Sequence, residues 1–215
     1  TKFYFLLGML VGLTSVTGHL VAQTACFGND SSSDAPDGFQ LSVETYATFE
    51  ETDLSSPLAA LAGQTTYRVY LETTSSMDFV SAVASDGAAG EVHLSTSTSF
   101  YMDGDGSLTA NGINPGLYSF FPTLEFDSYV TVGLDSEANP GEEEVMLSGE
   151  GIWGANFLAG GNLDIDSSND SGSGWSIPAG ASNGYAGLDQ RVLIAQVTTD
   201  GLLNGSFFIQ VDPEG

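Results

Sequence analysis

The chain has 215 residues, and its 28 acids against three basic residues give a formal net charge of −25. Lys2, Arg68 and Arg191 are its only Lys or Arg residues, too few and too scattered to displace the counterions of a phosphate backbone, so nucleic acid is excluded as a partner. With neither a GxxxxGK[ST] nor a GxGxxG between strand and helix, nucleotide binding is excluded as well.

The first segment, "TKFYFLLGMLVGLTSVTGHLVAQTAC", has the layout of a secretory signal. Lys2 precedes an apolar run over 3–11, and a small and polar stretch over 14–23 places a cleavage site after Ala22. The expectation is export, with residues 1–25 serving either as an address or as a retained assembly and anchor segment. If retained as a helix, residues 3–22 approach the length that spans a bilayer, and Gly8 and Gly12 form a GxxxG through which two helices can approach. If retained as a strand, the segment can complete the sheet of a neighbouring copy. Assembly contacts would then fall on Phe3, Phe5, Leu6, Gly8, Leu10 and Gly12.

Cys26 is the one cysteine, so the chain holds no intramolecular disulfide and no zinc framework. Residues 26–38, with "NDSSSDAPDG", read as a polar linker, and 39–215 as a single domain long enough to bury a core without disulfides. In "FQLSVETYATF" Phe39, Leu41, Val43, Thr45, Ala47 and Phe49 occupy alternate positions, the period of a half-buried strand. Further strands are predicted over 66–72, 79–84, 92–101, 117–121, 124–134, 144–153, 156–165, 191–199 and 205–211, and "SSPLAALAG" leaves room for one short helix. Short strands separated by Gly, Asn, Asp and Pro imply an all-β fold, an antiparallel β-sandwich of jelly-roll-like form.

The vocabulary of chemistry is thin. "YMDGDGSLTANGINP" offers oxygen ligands at Asp103, Asp105, Asn111 and Asn114 with Gly104 and Gly106 for tight turns, which makes calcium the candidate cofactor. No other cofactor is indicated. His93 is the sole histidine after the leader, so a Ser-His-Asp triad would have to be built on it, and no G-x-S-x-G elbow accompanies it. Trp153, Trp175 and the eight tyrosines are the candidates for a sugar-stacking platform. Asn29, Asn169 and Asn204 each begin an Asn-x-Ser sequon in a predicted loop, the candidate glycosylation sites.

The pieces "TYRVYLE", "FVSAVASDG", "LEFDSYVTVG" and "RVLIAQVTTDG" occur in an order that resembles a group of uncharacterised secreted β-rich proteins of aquatic bacteria and environmental sequence sets. That resemblance implies an exported β-sandwich and no reaction. The expectation from the whole sequence is a non-enzymatic, extracellular or cell-surface structural protein. It would self-assemble as a homopolymer, a subunit of a filament or surface layer. The alternative is a secreted module that binds glycans or calcium.

Overall fold

The computed structural model describes residues 3–11, 35–50, 57–86, 90–166 and 172–214. The strands are Phe3–Val11 (β1), Gln40–Thr48 (β2), Thr65–Glu72 (β3), Phe79–Ala84 (β4), Val92–Thr96 (β5) and Tyr129–Val130 (β6). They are followed by Met146–Ser148 (β7), the helix Glu150–Leu158 (α1), Leu163–Ile165 (β8), Gly174–Ser176 (β9), Arg191–Thr199 (β10) and Leu203–Asp212 (β11). Two antiparallel sheets result: one ordered β7-β9-β4-β11-β5-β8 with β1 added to β11, the other ordered β2-β3-β10-β6. The expected all-β antiparallel sandwich is the fold observed.

The core follows from alternation. On β3 Tyr67, Val69 and Leu71 are buried, as are Leu203, Phe207, Ile209 and Val211 on β11, and these faces close on each other with Leu41 of β2 and Leu94 of β5. Of β10, all but its first residue is buried, because its outer face is covered by the loop that precedes β6. Gln196 joins them: its Nε2 donates to the carbonyls of Glu125 and Asp127 at 3.0 and 3.1 Å.

Several predicted elements differ. Residues 117–121 and the start of 124–134 form short 3-10 turns at Pro115–Leu117 and Pro122–Phe126 rather than strands. Proline starts both turns; it fixes φ and removes an N–H that a strand ladder would need. Across 144–165, where two long strands were expected, the chain makes β7, then α1, then β8. Trp153 and Phe157, four residues apart on α1, are both buried, against Trp175 and Phe100 with ring centroids 6.0 and 5.4 Å apart. Gly149, at φ 64°, turns the chain into the helix, and Gly160, at φ 81°, turns it out. Among the described residues of "SSPLAALAG" there is a single 3-10 turn, Ala59–Leu61.

The partners of β11 settle how its two edges are used. β5 pairs with Leu203 to Ser206 and β4 with Ile209 to Asp212, so these two strands follow one another without overlap. β1 pairs antiparallel along the whole run from Val211 to Leu203. A strand has only two edges. β4 and β5 therefore share one edge of β11, and β1 occupies the other, where it also approaches β2 at the margin of the second sheet.

Candidate functional site

The acidic loop expected to bind calcium is organised by a carboxylate outside it. Asp127 is fully buried; its Oδ1 accepts the Asp103 N–H at 2.7 Å and its Oδ2 the Ser107 N–H at 3.1 Å. Burial, offset in part by these donors, pushes the Asp127 carboxyl up to about 7. A Cβ on Gly106 would stand 2.0 Å from Asp127 Oδ2, so only glycine lets the loop close on that carboxylate. Three of the four predicted ligand side chains are engaged separately, and Asp105 takes part through its backbone N–H. Asp103 accepts from Tyr101 and from the Asp105 N–H, Asn111 makes a two-way amide bridge to the backbone of Val145, and Asn114 accepts from the Gly116 N–H. Among the described residues no three His, Cys, Asp or Glu side chains gather as metal ligands do.

His93 lies in β5, and the structure does assemble a Ser-His-Asp line around it. Nδ1 contacts Asp164 Oδ1 across to β8, and Nε2 lies 3.0 Å from Ser95 Oγ on the same strand. Acyl transfer also needs a cleft and donors converging on an oxyanion. Here the His93 and Asp164 side chains are 40% and 51% exposed, and all three groups stand on an open strand face. The line clasps β5 to β8.

Asn204 is exposed as the second residue of β11 rather than in a loop, opposite Ser95 on one side and Leu10 on the other. Asn29, Asn169 and Gly12 lie outside the described residues. Phe3, Phe5, Leu6, Gly8 and Leu10 all fall within β1, opposite Val211, Ile209, Phe208, Ser206 and Asn204. Trp153 and Trp175 are 1% exposed and belong to the core, which removes them from any sugar platform.

The tyrosines mark a different surface, which reading by single motifs missed. On β3 Arg68, Tyr70 and Glu72 alternate with the core residues Val69 and Leu71, so they face outward. Antiparallel pairing sets Arg68 between Glu44 and Gln196, and Glu72 between Gln40 and Arg191. The Arg68 guanidinium lies 3.9 Å from the Tyr46 ring centroid, donates from Nε to Gln196 at 2.9 Å, and pairs with Asp135 at 3.5 Å. Arg191 repeats the arrangement 4.1 Å from the Tyr70 ring, with an ion pair to Glu44 at 2.7 Å. Between and beside them opens a groove of about 550 Å3, reaching Tyr185, Asn183 and the turn carrying Leu188 and Asp189. Tyr46 and Tyr118 edge the same region; burial first, then Glu125 nearby, pushes each phenol up to about 12, so both remain hydrogen-bond donors at neutral pH. The signal in the sequence was the pair "TYRVYLE" and "RVLIAQ", each with arginine on the outward phase of its strand, but only the register joins them.

Comparison of the chain with protein-family models, curated proteins and solved structures finds no match. Among the described residues no helix is long and apolar enough to cross a membrane.

Proposed function

We propose that the chain is an extracellular structural subunit that self-assembles through its N-terminal segment and contacts between sandwiches. The observation that supports this reading is the edge of β11. Ten residues long, β11 contains no proline, lysine or arginine, the devices that commonly protect an edge strand. On the edge away from β4 and β5, its pairing is with β1 alone among the described residues. The apolar residues at alternate positions of β1, namely Phe3, Phe5, Leu7, Met9 and Val11, stand opposite the core-facing residues of β11. A strand of that pattern suits such an edge: the ladder bonds give affinity and the alternate side chains give register.

In this reading a copy's N-terminal strand serves as the connector between sandwiches, export follows from the leader, and the chain performs no reaction. Repulsion between acidic surfaces opposes assembly, so salt or calcium bridging those surfaces strengthens it. Intact mass and negative-stain imaging of the native material test the proposal. Fibrous or sheet-like material built from chains that keep residues 3–11 is expected. Monomeric chains beginning near Gln23 overturn it, and leave the secreted binding module in first place.

A further inference from the structure

We infer that the groove on the outer face of the β2-β3-β10-β6 sheet binds a neutral, hydroxyl-rich glycan chain. Arg68 and Arg191 are the only arginines in a chain with 28 acids, and both line this one groove. Each guanidinium is held from two sides, by a tyrosine ring and by a carboxylate. Little rotamer entropy remains to be lost when a ligand takes the remaining N–H donors.

The chemistry of the walls selects the ligand class. Glu44, Asp135 and Asp189 outnumber the two arginines around the groove, so an anionic polymer meets net repulsion. Two of these carboxylates are already engaged with the guanidinium groups, Asp135 with Arg68 and Glu44 with Arg191, which leaves a cation less to neutralise. A hydroxyl both donates and accepts, and adjacent sugar hydroxyls match alternating guanidinium and carboxylate groups without a charge of their own. The apolar face of a sugar ring finds Tyr185 and Leu188, the latter 97% exposed at the rim.

The rim itself is built at a conformational cost. Gln190 is a non-glycine residue at φ 53°, held there because its carbonyl accepts the Thr73 N–H at 2.8 Å and its side-chain amide donates to the Thr74 carbonyl at 3.3 Å. Such backbone positions persist where surrounding structure over-determines them, and they concentrate at ligand sites. Here the conformation presents Leu188 and Asp189 beside Arg191. The inference is independent of assembly, since it uses the opposite sheet from β11.

An array of neutral and acidic polysaccharides, followed by titration calorimetry of any positive polymer, tests it. Binding to at least one neutral polysaccharide is expected, unchanged as salt is raised from about 50 to about 500 mM. Arg191→Gln and Leu188→Ser should each weaken it by roughly tenfold or more. Leu188→Ser cannot act by unfolding the domain, because its side chain is in solvent. An array with no neutral glycan bound overturns the inference. So does salt-sensitive binding confined to acidic polymers, or binding that both variants leave unchanged.

Discussion

Asp127 is an acid buried by the loop it organises, and its chemistry gives a signed prediction. Its folded pKa of about 7 lies above the ordinary 3.8, so the group's contribution to stability is complete below 3.8 and is lost as pH rises to about 7. The melting temperature should therefore fall across that window, and Asp127→Asn should remove part of the slope while costing about 1–3 kcal/mol, because its NH2 meets a backbone donor. Thermal melts of both proteins against pH check this; identical slopes would show that Asp127 does not titrate there. The two tryptophans differ in the same currency of hydrogen bonds. Trp175 Nε1 donates to the Thr131 carbonyl at 2.9 Å, whereas the buried Trp153 Nε1 has no partner among the described residues. Trp175→Phe strands a buried carbonyl and should cost about 2–3 kcal/mol, while Trp153→Phe discards an unsatisfied donor and should cost about 1 kcal/mol or less. Urea unfolding of the pair decides it: equal losses would mean ring volume alone matters. Neither distinction was legible in the sequence, since partner and burial belong to residues far along the chain.

At the scale of elements, β10 is the strand on which the second sheet depends. Gln196 accepts from Arg68 and donates to two carbonyls of the turn before β6, so it ties β3, β10 and that turn together. Gln196→Leu should leave those partners unsatisfied and destabilise the domain by about 3 kcal/mol. Hydrogen exchange should quicken around residues 125–130, and unchanged exchange there would separate the turn from the sheet. β4 and β10 match their predicted spans, because a long run of alternating or wholly apolar β-formers has one stable use in a sandwich. The helix α1 escaped that reading. It has nine residues, glycines at 151 and 154, and two large core contacts four residues apart, too little to show a helical period beside the β-branched and aromatic runs around it.

At the scale of the whole molecule the net charge of −25 acts everywhere at once. Self-repulsion disfavours the compact state, and salt screens it over a Debye length of ~10 Å at 0.1 M. The melting temperature should rise by several degrees between about 20 and about 500 mM NaCl, before any assembly is considered. Calorimetry at several protein concentrations separates the two effects: screening raises it equally at all concentrations, whereas assembly makes it concentration-dependent. A melting temperature indifferent to salt would mean that the acids lie too far apart to interact.

The sequence by itself determined the class of fold, and it carries the shortage of basic residues and the leader pattern on which the expectations about partners and export rest. Each depends on composition or on short-range periodicity, quantities that do not need the chain to be folded. Tertiary structure alone decided that β4 and β5 share one edge of β11, that Asp127 rather than the predicted calcium ligands organises the acidic loop, and that Arg68 on Tyr46 and Arg191 on Tyr70 line one groove. The reason is register. Antiparallel pairing brings β3 and β10 side by side across more than a hundred residues of sequence, and which face each arginine shares is settled only when the strands align.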